Sequence, residues 1–352
     1  MNAPGSTRVK SEDAERAENA KHVAETFYKR GSSSKSKQDH GEMVAKLRRN
    51  QYLRDKQIDP SGPFQLEVWP EVFRAIPNDY ARSALFTVRN KKEPRAVLQQ
   101  HTLFHVEKAV QITFTGIELR AEDDELVWQQ ILNYAKHHTL GEPVKFNLHA
   151  LLQDLGWSIN KRNYDKARMC ISRLKASEVK VENERFGTGS AISLIHAYKT
   201  WSAKGEFGAG APVKFEVYIH PELMLLFAGK QYTLVAWERY RELTPTARRL
   251  YDYVGSHREP YALRLETFKA MCGSTTKDKY KWRQAVQTAG DELVDAGLVH
   301  FVNVADDKIF CQRTSDGEPA PVRRLAKRRS RSEATDDQDD KEIAQSKLDL
   351  SA

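Results

Sequence analysis

Cysteine is scarce: Cys170, Cys272 and Cys311 are the only three in 352 residues. They have neither the number for a disulfide framework nor the spacing for a thiolate metal site, which points to a reducing cytoplasm. No apolar run approaches the roughly 20 residues of a membrane span. The opening MNAPGSTRVKSEDAERAENA also lacks the apolar segment of a secretory signal. There is no G-x-x-x-x-G-K-S/T loop, so no use of ATP is expected. The acidic run Glu122–Glu125 reads as the start of a helix rather than a metal site, because carboxylates suit the positive end of the helix dipole. His137-His138 lacks the spacing of paired metal ligands, and Tyr164 lies on an apolar helix stripe rather than where a strand-cleaving nucleophile would stand. No enzymatic activity and no cofactor are expected.

What the chain has is basic charge. Lys and Arg number 56 against 48 Asp and Glu, a net charge of +8. Such a surplus favours an anionic partner, nucleic acid or an anionic surface. Both ends are polar. Residues 1–62 read as a disordered basic tail with a short helix around Met43 to Leu53. Residues 314–352, which carry RRLAKRRSR and then EATDDQDDKE, read as a charged disordered tail.

Between the tails the pattern is mixed α and β. Thr102–Glu107 and Val110–Thr115 alternate as a hairpin. Three helices follow, over Glu122–His138, Leu148–Leu155 (stopped by Gly156) and about Asn160–Ala176. Strand-like runs at Val179–Phe186 and Ala191–Lys199, around a turn at 187–189, come next. The same order returns downstream: helices over Thr244–His257, Leu265–Cys272 and Lys277–Ala296, then a hairpin of Leu298–Val304 and Lys308–Gln312. Three helices and a two-stranded wing are the order of a winged helix-turn-helix, whose third helix normally enters the major groove. At a spacing of 117 residues the two sets share Glu125/Glu242, Leu126/Leu243, Tyr134/Tyr251, Glu142/Glu259, Pro143/Pro260, Leu148/Leu265 and Gly156/Gly273, an internal repeat. The expected fold is α+β, with two tandem winged-helix domains at 63–222 (with preceding strands) and 223–313.

The two third helices can be divided into faces. In the first, Tyr164, Ala167, Ile171 and Leu174 form an apolar stripe, while Arg162, Lys166 and Arg173 fall within an arc of about 40° on the other side. Asn160 and Lys161 stand at its start. In the second, Trp282, Val286, Ala289 and Leu293 form the stripe, and Lys277, Lys281, Gln284 and Thr288 point away. Basic and amide side chains on such a face suit groove reading, since Arg and Lys address guanine and Gln addresses adenine. A solvated helix face would show the same residues; their recurrence in both helices favours DNA. Arg248 and Arg249, on a first helix, are candidates for phosphate contact or for a water-facing surface.

Several segments closely resemble the TrfA family of plasmid replication initiators: PNDYARSALFTVRNKKEPR (77–95), TGIELRAEDDELVWQQILNYAK (115–136), LLQDLGWSIN (151–160), LTPTARRLYDY (243–253), SHREPY (256–261) and LETFKAMCGS (265–274). The resemblance spans about 65 to 313. It implies binding to direct repeats (iterons) in duplex DNA and melting of an adjacent AT-rich segment held as single strands. It further implies recruitment of the host initiator, replicative helicase and sliding clamp, and a homodimer in exchange with monomer. The alternative is a winged-helix transcriptional regulator; a strand-nicking enzyme would need a metal-binding His pair and an exposed Tyr that the sequence does not offer.

The family carries a clamp-binding peptide, Q-L-S-L-F, at a place where this chain has Gln65-Leu66-Glu67-Val68-Trp69 followed by Pro70. Gln65 and Leu66 match and Trp69 replaces the Phe, which leaves two readings: a weakened clamp motif, or a Trp69 fixed in the core. A second Q-x-x-L-x-L pattern, Gln345, Leu348 and Leu350, lies in the C-terminal tail and is the alternative clamp peptide.

Overall fold

The computed structural model describes residues 34–183, 188–202 and 213–314. The chain divides into two compact units, one of residues up to 60 with 183–189, the other of residues 61–182 and 190 onward. In the first, helix α1 spans Ser34–Asp55, longer than the expected 43–53. Lys, Gln, Met, Leu and Arg favour a helix here, and no proline interrupts it.

The second unit opens with β1 (Phe73–Pro77), α2 (Asn78–Ala81) and β2 (Phe86–Thr87). The hairpin follows, with its first strand displaced toward the N-terminus: β3 is Val97–Leu103 where Thr102–Glu107 was expected, and β4 (Val110–Ile117) runs two residues past the expected Thr115. They pair antiparallel, with Thr102 opposite Thr113. Strand β5 (Leu119–Arg120) leads into helix α3 (Asp124–Ala135), capped by the Asp123 carboxylate, which accepts from the Asp124 N–H at 2.8 Å. Trp128 of α3 is fully buried, 5.5 Å from Tyr80 and 6.0 Å from Phe86 between ring centroids.

Next come β6 (Pro143–Asn147), α4 (Leu148–Leu155) and α5 (Lys161–Ala176). Helix α4 has its expected bounds because both ends are chemically marked. The Asn147 side chain caps the start by accepting from Ala150 N–H at 2.7 Å, and Gly156 ends it at φ 70°. A Cβ on Gly156 would stand 2.6 Å from Nη1 of Arg241. Asn160 caps α5, accepting from Asn163 N–H at 2.8 Å.

The following strands correct the sequence reading. They are β7 (Glu178–Asn183), β8 (Thr188–Ile192), β9 (Ala197–Ser202) and β10 (Val213–Tyr218). The expected two-stranded wing, Val179–Phe186 with Ala191–Lys199, forms only in part: β7 neighbours β8, but the pair does not stand alone and the second run does not continue to Lys199. Strands β7 and β8 extend a four-stranded sheet ordered β3-β4-β7-β8, while β9 belongs to a separate sheet ordered β6-β10-β9. Leu194 and Ile195 are both buried in succession, which a half-buried strand with period two cannot do, so the second run breaks there. Phe186 and Gly187 lie outside the described residues.

After β10 come α6 (Met224–Phe227), β11 (Tyr232–Ala236), which pairs antiparallel with β1, and α7 (Trp237–Tyr240). The second set of three helices and a hairpin then follows: α8 (Pro245–Gly255), β12 (Leu263–Arg264), α9 (Leu265–Met271), α10 (Lys279–Asp295), β13 (Val299–Ala305) and β14 (Lys308–Arg313). Asp306 and Asp307 join the last two strands with both φ angles positive, 48° and 56°, the backbone of a two-residue hairpin turn.

The sheets β6-β10-β9 and β12-β14-β13 have the same order, and every pairing in them is antiparallel. In the first, β6 precedes α4 and pairs with β10, which pairs with β9, although β7 and β8 intervene between α5 and β9. In the second, β12 precedes α9 and pairs with β14, which pairs with β13 directly after α10. The partner of the β13–β14 hairpin is therefore β9–β10. The 117-residue register holds as far as Gly156 and Gly273, both left-handed at φ 70° and 57°. Beyond them the turn is longer in the second set. The third helices match instead at a spacing of 119, where Ala167, Cys170, Ile171 and Leu174 correspond to Val286, Ala289, Gly290 and Leu293, all buried.

Candidate nucleic-acid interface

Helices α5 and α10 each bury one stripe and expose a basic flank. On α5, Lys161 and Arg162 are exposed, while Asn160 spends its side-chain oxygen on the helix cap. Lys166 is half-buried, its ammonium 4.1 Å from the centroid of the Trp157 ring, a cation–π contact that fixes its direction. The same face includes Asp165, Met169 and Ser172. On α10, Lys281, Gln284 and Thr288 are exposed, with Tyr280 and Ala285 beside them; Lys277, expected at the helix start, is exposed in the loop two residues before it. At the 119-residue spacing, Arg162 corresponds to Lys281 and Asp165 to Gln284, and all four are exposed.

Beside the start of α10 lies a cleft lined by Arg264, Lys269, Lys279 and Lys308, with Glu266, Asp306 and Asp307 in the same wall. The sequence reading did not single out these four cations. They come from β12, α9, α10 and β14, so only the closure of the three-stranded sheet brings them together.

Three expected DNA contacts are corrected by burial. Arg173 is 9% exposed and donates to Asp124 Oδ1 through Nε at 3.0 Å and Nη2 at 2.8 Å. Arg249 is fully buried: Nη1 donates to Asp252 Oδ2 at 2.7 Å, and Nη2 to the carbonyls of Ala81 and Ser83 at 2.9 and 2.6 Å. Arg248, also buried, donates to the carbonyls of Leu243 and Ala121, each at 2.6 Å. A buried guanidinium already bonded to internal carboxylates or carbonyls cannot present a donor fork to phosphate.

The clamp motif is corrected for the same reason. Gln65 is exposed, but Leu66 and Trp69 are buried, at 2% and 3% exposure. The Trp69 indole N–H donates to Asn133 Oδ1 at 3.0 Å, its ring stacks on Phe227, and its carbonyl accepts from Lys136 Nζ at 2.8 Å. Trp69 is a core anchor and not the tip of a peptide. The alternative residues Gln345, Leu348 and Leu350 lie outside the described residues.

Asp123, Asp124 and Cys170 come close enough to suit a metal ion. The two carboxylates already have counter-charges: Arg95 donates to Asp124 at 2.6 Å and to Asp123 at 2.8 Å, and Arg173 binds Asp124 from the other side. Burial and the neighbouring Asp123 push Asp124 up to about 6, against the pull of both guanidiniums. Burial also drives the Cys170 thiol well above its usual range, so it stays protonated. This cluster is an internal brace.

Comparison with known proteins adds three findings. The family model described as TrfA protein matches residues 30–313. The plasmid replication initiator protein TrfA of Escherichia coli is 51% identical over 250 residues, covering 71% of this chain and 64% of that protein, so the chain spans under two thirds of that relative's length. Among solved structures, SeMet derivatives of domains 2 and 3 of RctB align with a TM-score of 0.47 at 13% identity, covering 67% of this chain and 96% of that one. A second structure of the RctB domains 2–3 gives 0.42 at 11% identity, covering 60% and 80%.

Proposed function

We propose a function on one premise: the chain belongs to the TrfA protein family. It is a plasmid replication initiator. Two winged-helix units, the first ending in β9–β10 and the second in β13–β14, bind repeated duplex sites at the origin. Helices α5 and α10 lie in major grooves, and the cations of the α10 cleft hold the flanking phosphates. The observation that carries this is the matched exposure of the two third helices at a spacing of 119, with a cation at the same point of each, Arg162 and Lys281.

With no phosphate-binding loop in the sequence, melting of the AT-rich segment draws on binding energy and on capture of single strands. Host initiator and helicase are recruited to the opened DNA, and dimers exchange with origin-active monomers. Leu66 and Trp69 are committed to the core, so the sliding-clamp contact is assigned to the tail residues Gln345, Leu348 and Leu350. These steps place the protein in the bacterial cytoplasm; no described helix is long and apolar enough to cross a membrane.

The test is replication in trans. A plasmid that carries only the matching origin is expected to replicate when this protein is supplied, and not when Arg162→Ala and Lys281→Ala are combined. If the protein binds promoter DNA tightly and no origin plasmid replicates, the chain is a winged-helix regulator instead.

A further inference from the structure

The exposed face of α5 has an apolar centre. Met169 is 56% exposed, although Arg162, Asp165 and Ser172 on the same face are polar. Its charged neighbours are held to the sides. The Lys166 ammonium sits over the Trp157 ring, and Arg168 pairs with Asp165 at 2.9 Å. One exposed apolar side chain is ordinary on a protein surface and carries nothing by itself.

The second helix supplies the independent observation. At the 119-residue spacing, where the buried stripes coincide, Met169 corresponds to Thr288, and both are exposed. Each follows an exposed cation of its helix, Arg162 or Lys281, by seven residues. The two side chains differ in length and polarity, but both end in a methyl group. Seven residues of helix rise about 10 Å, close to three base-pair steps of duplex.

In the major groove only thymine presents a methyl group; the other bases offer hydrogen-bond donors and acceptors there. We infer that Met169, and Thr288 at the equivalent point, contact the C5 methyl of a thymine about three base pairs from the base addressed by Arg162 or Lys281. This rests on α5 and α10 entering the major groove. Two turns into the helix, an unbranched thioether with three rotatable bonds has the reach and adaptability for the contact.

The test uses the full-length protein and a duplex it selects from a random-sequence pool. Each thymine of that duplex is replaced singly by deoxyuridine, which removes only the methyl. The parent is expected to lose about fourfold in affinity at a thymine whose methyl is buried. Met169→Ala should lose the same factor on the all-thymine duplex and be indifferent to deoxyuridine at one position. Thr288→Ser, which keeps the hydroxyl and drops the methyl, should be indifferent at a different position. Met169→Gln keeps the length and helix-forming character and should behave as Met169→Ala, with far-UV circular dichroism and melting unchanged.

The inference is overturned if Met169→Ala binds the thymine duplex like the parent. It is equally overturned if that variant stays as sensitive as the parent to deoxyuridine everywhere. If instead Arg162→Ala and Lys281→Ala bind like the parent, or the parent selects no duplex, the groove reading itself has failed and this inference falls with it.

Discussion

Arg173 and Glu292, 119 residues apart, hold the same place in the two sets of three helices, and each ties its third helix to the start of the first helix with opposite charge. Arg173 on α5 grips Asp124 in the first turn of α3, at 2.8 and 3.0 Å. Glu292 on α10 accepts from the N–H and the hydroxyl of Thr244, the N-cap of α8, at 2.8 and 2.7 Å. The inversion follows from the helix starts. The first turn of α3 already contains acids, so a cation must neutralise them. The first turn of α8 contains none, and the Glu292 carboxylate supplies the negative charge that a helix N-terminus favours.

Arg173→Ala is therefore expected to destabilise the fold by about 3 kcal/mol, because it leaves the buried Asp124 with Arg95 as its one remaining guanidinium partner. Glu292→Ala, which loses an accessible capping interaction, should cost about 1 kcal/mol. Urea denaturation measures both. An Arg173→Ala protein as stable as the parent but defective in DNA binding would return that residue to the interface.

Arg162→Ala and Lys281→Ala should do the opposite, leaving the urea midpoint in place and weakening specific DNA binding by about 1–3 kcal/mol each. Affinity should also fall linearly on a logarithmic salt scale as counterions are released. Lys277→Ala, if that side chain meets phosphate, should reduce the slope by about one unit without changing sequence preference. Titrations at two or more salt concentrations separate these effects.

The buried Glu125 carboxyl is pushed up to about 8 by burial and then by the Asp252 charge, against the pull of Arg249. A carboxyl with a raised folded-state value binds its proton more tightly folded than unfolded. Its contribution is complete below its ordinary value near 4.5 and is lost as pH rises through about 8. Asp252 is raised as well, also by burial first, and works in the same direction. The melting temperature of the parent is expected to fall between pH 6 and pH 9, and that of Glu125→Gln to fall less. Scanning calorimetry across that range decides it; parallel slopes for the two proteins would refute the assignment.

Trp69→Ala is expected to cost about 3–5 kcal/mol and Leu66→Ala about 2–5 kcal/mol, as core truncations do. Below their melting points both variants should still bind the sliding clamp as the parent does, while Leu348→Ala/Leu350→Ala should not. Surface-capture binding with purified clamp makes the comparison. If the upstream variants lose the clamp while folded, the family position is the working one.

Much of this architecture is legible along the chain. The bounds of α4 follow from Asn147 and Gly156, and the phase of α5 and α10 from Ala167, Ile171 and Leu174 and from Trp282, Val286, Ala289 and Leu293, all buried. Lys281, Gln284 and Thr288 on α10 are exposed as their helical phase indicated, whereas Lys277 falls in the loop before the helix. The sheet that β7 joins was not legible, because alternation marks a strand without naming its partner. Val179 and Val181 alternate as a wing strand would, yet they join the sheet of β3 and β4.

By itself the sequence determined the bounds of α4, the places of α3, α5, α8, α9 and α10 to within a few residues, and which stripe of α5 and α10 is apolar. Those properties depend on residues within a few positions of one another, through capping, backbone freedom and helical period. Only the tertiary structure decided which cations are available. Arg162 and Arg173 lie almost in line on one helix, but Arg162 is exposed and Arg173 is buried. The difference is the first turn of α3, which packs against one end of that line and places Asp124 there. A helical wheel contains the angle of a side chain and not the neighbour that meets it, and for a charged group the neighbour settles whether it faces DNA or holds the core.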